Sequence, residues 1–365
     1  MKKMNHLLLI GLLAAYVLVF TLWSALKPPQ SISLSERRPL NQAPTLSIET
    51  LSSGQFMDKM EPYLQDQFPL REPFRRLKSL ITFNLLKQKD HYGIYVHDGV
   101  AAKLETPMAP NRIPYLAGTF QGLINHELKD SQGRIWFALI PDKSQYLAPA
   151  AGLPTANHED ILEQLQQELD HVNILDLKPQ LSLKDFYRTD LHWRQEALLP
   201  LANYLAKEMD ISFNSNYQSQ TLDNPFYGVY QSQAALSLPA DTVHYLTNEK
   251  LAAIKVFDFE TQKTTSIYDL EAGAGVDPYS LFLSGAKALL TLENPNSTTN
   301  RELIVFRDSF GSSLIPLLAQ GYSKITLVDI RYIAPSRLKH LVSFQGQDIL
   351  FLYSAQVLTD GSFLQ

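Results

Sequence analysis

The chain has 365 residues, 45% of them hydrophobic and 10% aromatic, which is enough apolar material for one large core or two moderate ones and excludes a disordered chain. A net charge of −5 and a pI near 6.0 offer no basic face of the kind nucleic acid demands, so nucleic acid is not expected as a partner. Zero cysteines rule out disulfides, a thiol nucleophile and thiolate metal sites.

Lys2 and Lys3 precede an uncharged run over residues 7–26, which as a helix rises about 30 Å and matches a bilayer core. The end of the run, Phe20-Thr21-Leu22-Trp23-Ser24-Ala25, lacks an Ala-x-Ala pair, so it reads as an uncleaved anchor, with a cleaved secretory signal as the alternative. The lysine bias assigns residues 1–6 to the cytoplasm and everything beyond the anchor to the outside, as in a single-pass cell-membrane protein. Residues 27–69, with Pro28, Pro29, Pro39 and Pro44, read as an extracytoplasmic linker, and 70–365 as the catalytic domain.

Over 70–89, Phe74, Leu77, Ile81 and Leu85 recur at helical spacing with Arg71, Arg75, Arg76 and Lys78 between them. The charges read as the solvated side of a packed amphipathic helix rather than as a contact with anionic lipid or polymer. Tyr92-Gly93-Ile94-Tyr95-Val96-His97-Asp98-Gly99 predicts a strand and a tight Asp-Gly turn. Ile135-Trp136-Phe137-Ala138-Leu139-Ile140, closed by Pro141-Asp142-Lys143, predicts a strand buried on both faces. A helix is expected over 158–172, a strand over 173–177 and a helix over 194–209. The Ser-, Thr- and Asn-rich segment 214–300, which includes a weak glycosylation triplet at Asn296, reads as a β-rich insertion. Strands over 303–307, 324–330 and 348–353 then alternate with helices over 312–320 and 335–344, which predicts a doubly wound parallel α/β sheet.

Three residues carry the chemistry. Ser309 follows a strand and opens a helix, where the N–H groups of Phe310, Gly311 and Ser312 are expected to point outward and receive an oxyanion. An N-cap role for Asp308 or Ser309 is the bland alternative. Asp190 and His192, in Tyr187-Arg188-Thr189-Asp190-Leu191-His192-Trp193, would point to one side of an extended segment, His192 as base and Asp190 as its orienter. The remaining histidines show no close ligand spacing, so neither a metal nor a cofactor is expected. Lys143, Arg331 and Tyr332 end strands at the same sheet edge and are substrate or oxyanion candidates, as are Tyr187 and Arg188; Trp193 reads as core or pocket wall.

These motifs, with Asp329-Ile330-Arg331-Tyr332 and Asp66-Gln67-Phe68-Pro69-Leu70-Arg71, resemble the DHHW family, which is similar to the SGNH-hydrolase-like alginate O-acetyltransferases. The resemblance implies an SGNH-like α/β fold with Ser309 as nucleophile and Asp190 and His192 as the acid-base pair. It also implies a polysaccharide acceptor and a multi-pass membrane-bound O-acyltransferase as acetyl donor. The chain departs from the family name at Leu191, which stands where the second letter calls for His. The expected function is extracytoplasmic O-acetyl transfer to a polysaccharide. A carbohydrate esterase using the same three residues and a non-catalytic binding module are the alternatives.

Overall fold

The computed structural model describes residues 2–105, 109, 111–128, 133–213, 216–333, 335–338 and 340–359. Positions 214, 215 and 339, which fall in the segments read above as insertion and helix, lie outside the described residues. The chain divides into two compact units, Met1–Tyr92 with Gln231–Ser237, and Gly93–Tyr230 with Leu238–Gln365.

The first unit begins with the helix Lys2–Leu26, whose stretch Leu8–Leu26 is long and apolar enough to cross a membrane. Beyond it, residues 48–67 of the segment read as a linker are largely helical, as Ile48–Ser52 and Gln55–Gln67. Ser47 starts the first of these by accepting from the Thr50 N–H, and Pro62 is accommodated within the second. Buried Asp66 holds the preceding chain against this helix, accepting from Arg38 Nη2 at 2.6 Å, Arg38 Nη1 at 3.0 Å and the Asn41 N–H at 2.9 Å. The Arg38 hydrogen bond pulls its carboxyl down to about 2, against the opposing effect of burial.

The second unit is built on an eight-stranded sheet: β1 (Ile135–Ile140), β2 (Asn173–Asp176), β3 (Lys255–Asp258), β4 (Lys263–Ser266), β5 (Leu289–Glu293), β6 (Glu302–Arg307), β7 (Lys324–Val328) and β8 (Asp348–Ser354). The spatial order is β4-β3-β5-β7-β6-β8-β1-β2. The run β7-β6-β8-β1-β2 is parallel throughout, with Phe306 opposite Val328 on one side and Phe351 on the other. Alternation splits its apolar residues between two cores. Trp136, Ala138, Val305, Leu327 and Leu350 pack with the helices Leu199–Glu208 and Gly311–Leu318, while Phe137, Leu139, Ile304, Phe306 and Phe351 pack with Arg112–His126 and His158–Glu168. This is the doubly wound arrangement expected of unbroken apolar strands separated by helices.

The β-rich segment joins that sheet. β3, β4 and β5 extend it antiparallel, with Leu289 opposite Val328, and a separate ladder pairs Gln218–Phe226 with Asp241–Thr247. Antiparallel strands need only short connections, so a stretch without helical periodicity can still complete a sheet. The crossover from β6 to β7 contributes its helix to one core, and Leu338, between β7 and β8, lies in the other. The carboxyl end of β6 is therefore a topological switch point, where open α/β sheets form a crevice.

Candidate active site

Ser309 sits two residues past the end of β6, half-buried, in the turn leading into the helix Gly311–Leu318. Asp308 fixes that turn from both sides. Its Oδ1 accepts from the Phe310 N–H at 3.0 Å and its Oδ2 from the Ser354 N–H on β8 at 2.8 Å. Burial pushes its carboxyl above the ordinary range, against the pull of the Ser354 hydrogen bonds. Gly311 follows because a Cβ there would stand 3.0 Å from Arg307 Cβ and 3.1 Å from its Cδ, with Arg307 fully buried beneath the helix start.

The Asp190 segment is a closed loop rather than an extended strand. Phe186 and Trp193 form an antiparallel bridge, the Tyr187 N–H donates to the His192 carbonyl at 3.0 Å, and residues 188–192 bend between them. Asp190 and His192 meet through this bend and not through strand alternation: Asp190 Oδ1 accepts from the His192 backbone N–H at 3.0 Å and from His192 Nδ1 at 2.6 Å. The Val229 N–H donates to Oδ2 at 2.8 Å, so a carboxylate 1% exposed has three donors. An acceptor at Nδ1 fixes the imidazole tautomer and leaves Nε2 to accept the Ser309 hydroxyl at 2.8 Å. Asp190, His192 and Ser309 thus stand in one hydrogen-bonded row.

Several residues hold this row that sequence reasoning did not connect to it. The Tyr279 ring stacks on the His192 imidazole, centroids 3.9 Å apart and planes 12° from parallel, and its hydroxyl lies 2.8 Å from Ser313 Oγ. Asp241 accepts from the Arg188 N–H, the Thr189 N–H and Thr189 Oγ1 at 2.6 to 2.8 Å. Gly228 donates its N–H to Thr189 Oγ1 at 2.9 Å. Tyr279, Asp241 and Gly228 all come from the segment 214–300, where no motif marks them.

The second-tier candidates have other occupations. The Lys143 ammonium is fully buried and donates to the carbonyls of Asp190 at 2.6 Å and Tyr187 at 2.7 Å, so it clamps the loop from below. Burial brings its pKa down to about 8, with Asp190 and Asp142 opposing the fall. Arg331 commits Nε and Nη2 to the Asp329 carboxylate at 2.8 and 2.6 Å, which occupies the fork that a glycan carboxylate would need. Tyr332 is exposed beside it, Tyr187 is a buried ring edge-on to Phe226, and Arg188 is exposed. Trp193 is buried and donates to Ser313 Oγ at 2.9 Å, as a core residue should.

The expected oxyanion donors are spent. The Phe310 N–H serves Asp308 Oδ1, the Gly311 N–H reaches the Asp308 carbonyl at 3.2 Å and the Ser312 N–H the Ser309 carbonyl at 3.1 Å. The cause is the aspartate immediately before the serine, which turns the helix start back on itself. The Ser309 N–H itself has no hydrogen bond among the described residues. Nor is there, among the described residues, a group of three or more His, Asp or Glu side chains able to hold a metal ion.

In sequence the chain matches no family model and no curated protein. Its structure superposes on a DHHW family protein from Eubacterium siraeum with a TM-score of 0.56 and 20% identity, over 73% of this chain and 91% of that one. The chain has the fold of a DHHW family protein. PatB1 from Bacillus cereus superposes similarly, with a TM-score of 0.57 and 18% identity over 74% of this chain and 98% of PatB1, in a structure that carries a sulfonyl adduct. At these identities the likeness is one of fold, and it spans most of the chain, as the resemblance of the motifs implied.

Proposed function

We propose that this chain is a membrane-anchored, extracytoplasmic O-acetyltransferase that modifies a polysaccharide through an acetyl-Ser309 intermediate. The observation that carries the reading is the row Asp190 Oδ1, His192 Nδ1, His192 Nε2 and Ser309 Oγ, with links of 2.6 and 2.8 Å, at the switch point of an open α/β sheet. The sulfonyl adduct carried by PatB1 on the same fold supports it, since such an adduct forms when a nucleophile attacks a sulfonyl electrophile.

In this mechanism Ser309 Oγ attacks the acetyl carbonyl carbon as its proton passes to His192 Nε2, and the new oxyanion takes the uncommitted Ser309 N–H. Collapse expels the donor's oxygen with the proton from Nε2 and leaves acetyl-Ser309. A sugar hydroxyl then gives its proton to Nε2, bonds to the acetyl carbon and releases Ser309 Oγ, which recovers the proton. Asp190 keeps Nδ1 protonated and steadies the imidazolium in both halves. A multi-pass membrane-bound O-acyltransferase supplies the acetyl group, and the helix Lys2–Leu26 keeps the site beside it. Hydrolysis differs only in that water replaces the sugar.

The reading is tested in cells lacking the chain and complemented with Ser309→Ala or His192→Ala. Loss of polysaccharide O-acetylation with normal amounts of folded, exported protein supports it, and unchanged acetylation in either strain contradicts it.

A further inference from the structure

The helix Arg71–Leu80, continued by the π-helical turn Ile81–Leu85, is amphipathic as the sequence indicates, but its apolar side is the one left outside. Phe74, Leu77, Ile81 and Leu85 are 41%, 50%, 38% and 73% exposed, whereas the buried positions are Ser79 and Thr82. Two apolar grooves flank the stripe and meet at Phe74. One, of about 690 Å³, is lined by Met57, Leu64 and Phe68 together with Asp58 and Glu61; the other, of about 850 Å³, by Leu77, Ile81 and Leu86 together with Asp90. A helix that shows water its hydrophobic stripe leaves a patch that another phase must cover.

The neighbouring aromatic rings identify that phase. Phe20 lies six residues before Leu26, the end of the apolar span, and so about 9 Å inside it at the helical rise. Phe68 stacks on Phe20 at 5.3 Å with the planes 4° apart, and Phe74 lies 6.3 Å from Phe20 and 6.0 Å from Phe68. The stripe therefore starts at the depth of the acyl chains and is continuous with the anchor. Charge favours the match, because residues 71–90 contain Arg71, Arg75, Arg76, Lys78, Lys87 and Lys89 against Glu72 and Asp90. Arg75 is engaged with Glu72 and the Ser232 carbonyl, while Arg76, Lys78, Lys87 and Lys89 are exposed.

We propose that the Arg71–Leu85 helix lies in the interfacial layer of the leaflet into which the anchor emerges. Its apolar stripe enters the acyl chains and its cations meet anionic phospholipid headgroups. The proposal rests on the anchoring part of the function proposed above and is independent of its chemistry.

The chain has no cysteine, so single-cysteine variants can carry a nitroxide label unambiguously. The full chain would be reconstituted in vesicles of three parts phosphatidylcholine to one part phosphatidylglycerol, with labels at Leu77→Cys, Ile81→Cys and Leu85→Cys. Arg76→Cys would report water and Val17→Cys the bilayer interior. Collisions with oxygen and with a water-soluble nickel chelate are then measured by power saturation. The proposal expects the three stripe positions to favour oxygen over nickel by at least twofold more than position 76, and the preference to shrink when phosphatidylglycerol is omitted. Stripe positions as open to nickel as position 76, with position 17 protected, overturn the proposal while anchoring stands. Nickel access at position 17 as well overturns anchoring itself. Protection of the stripe from both reagents overturns the proposal in favour of a contact with a second copy of the chain.

Discussion

Gly228 lies against Asp190 so closely that a Cβ added to it would stand 2.5 Å from Asp190 Cα and 2.5 Å from the Thr189 carbonyl oxygen. The next residue donates the Val229 N–H to Asp190 Oδ2, so this approach of two backbones sets the carboxylate that holds His192. Gly228→Ala must push the loop away. The expected result is a loss of acetyl transfer on the order of 100-fold, the scale of a small misplacement of catalytic groups, with export retained. Full activity in Gly228→Ala would show that the contact does not position the row.

Asp190→Asn keeps the shape of the side chain but can present its amide to Nδ1, which reverses the tautomer and leaves Nε2 unable to accept the Ser309 proton. A fall in turnover on the order of 10⁴-fold is expected, together with some loss of stability, because the amide NH2 must face either the His192 or the Val229 N–H that the carboxylate accepted. A decrease of only a few-fold would remove Asp190 from the role assigned to it.

The two halves of the Ser-His-Asp row were legible in the sequence for different reasons. Ser309 shows because an apolar strand ends just before it, and Asp190 and His192 because a carboxylate and an imidazole stand one residue apart. The parallel core showed for the same kind of reason, since β1, β6 and β8 each contain an unbroken apolar run of four residues or more. Long-range geometry did not show. Nothing local marks Tyr279 as the ring that stacks on His192, or Lys143 as a donor to carbonyls 44 and 47 residues away. The oxyanion expectation failed for a local reason that periodicity cannot see, the carboxylate of Asp308 turning back onto the Phe310 N–H. The helix over 71–85 was periodic enough to identify, but periodicity does not tell which side packs inward, and here the buried positions are Ser79 and Thr82.

Lys143 makes a further prediction through those carbonyls. Lys143→Met fills the same volume and removes the donors, leaving the Tyr187 and Asp190 carbonyls buried without them. The cost is about 2 kcal/mol of stability, from unmet acceptors partly offset by relief of a buried charge. Urea unfolding of wild type and variant measures it, and a variant of equal or greater stability with full activity would contradict the clamp.

Asp142, beside it, gives a signed pH dependence. Burial, reinforced by Glu105, pushes its carboxyl up to about 6 from 3.8. Between these values the folded chain holds more protons than the unfolded one, so this group makes stability fall as pH rises through the window, with the full penalty above about 6. Asp142→Asn removes the ionisation and keeps an oxygen for the Ser144 N–H. The variant should gain on wild type by up to about 3 kcal/mol between pH 4 and 6 and by no more above it. Urea melts at successive pH values measure this; a difference independent of pH would contradict the assignment.

The acetyl-Ser309 intermediate is tested by intact-protein mass spectrometry of the full chain after incubation with an activated acetyl ester, run beside Ser309→Ala and repeated with candidate polysaccharides. One acetyl group is expected on Ser309 in wild type and none in Ser309→Ala, with its removal faster on adding the acceptor than in water alone. A folded wild type that takes up no acetyl group, or that loses it at the same rate with and without acceptor, would contradict it.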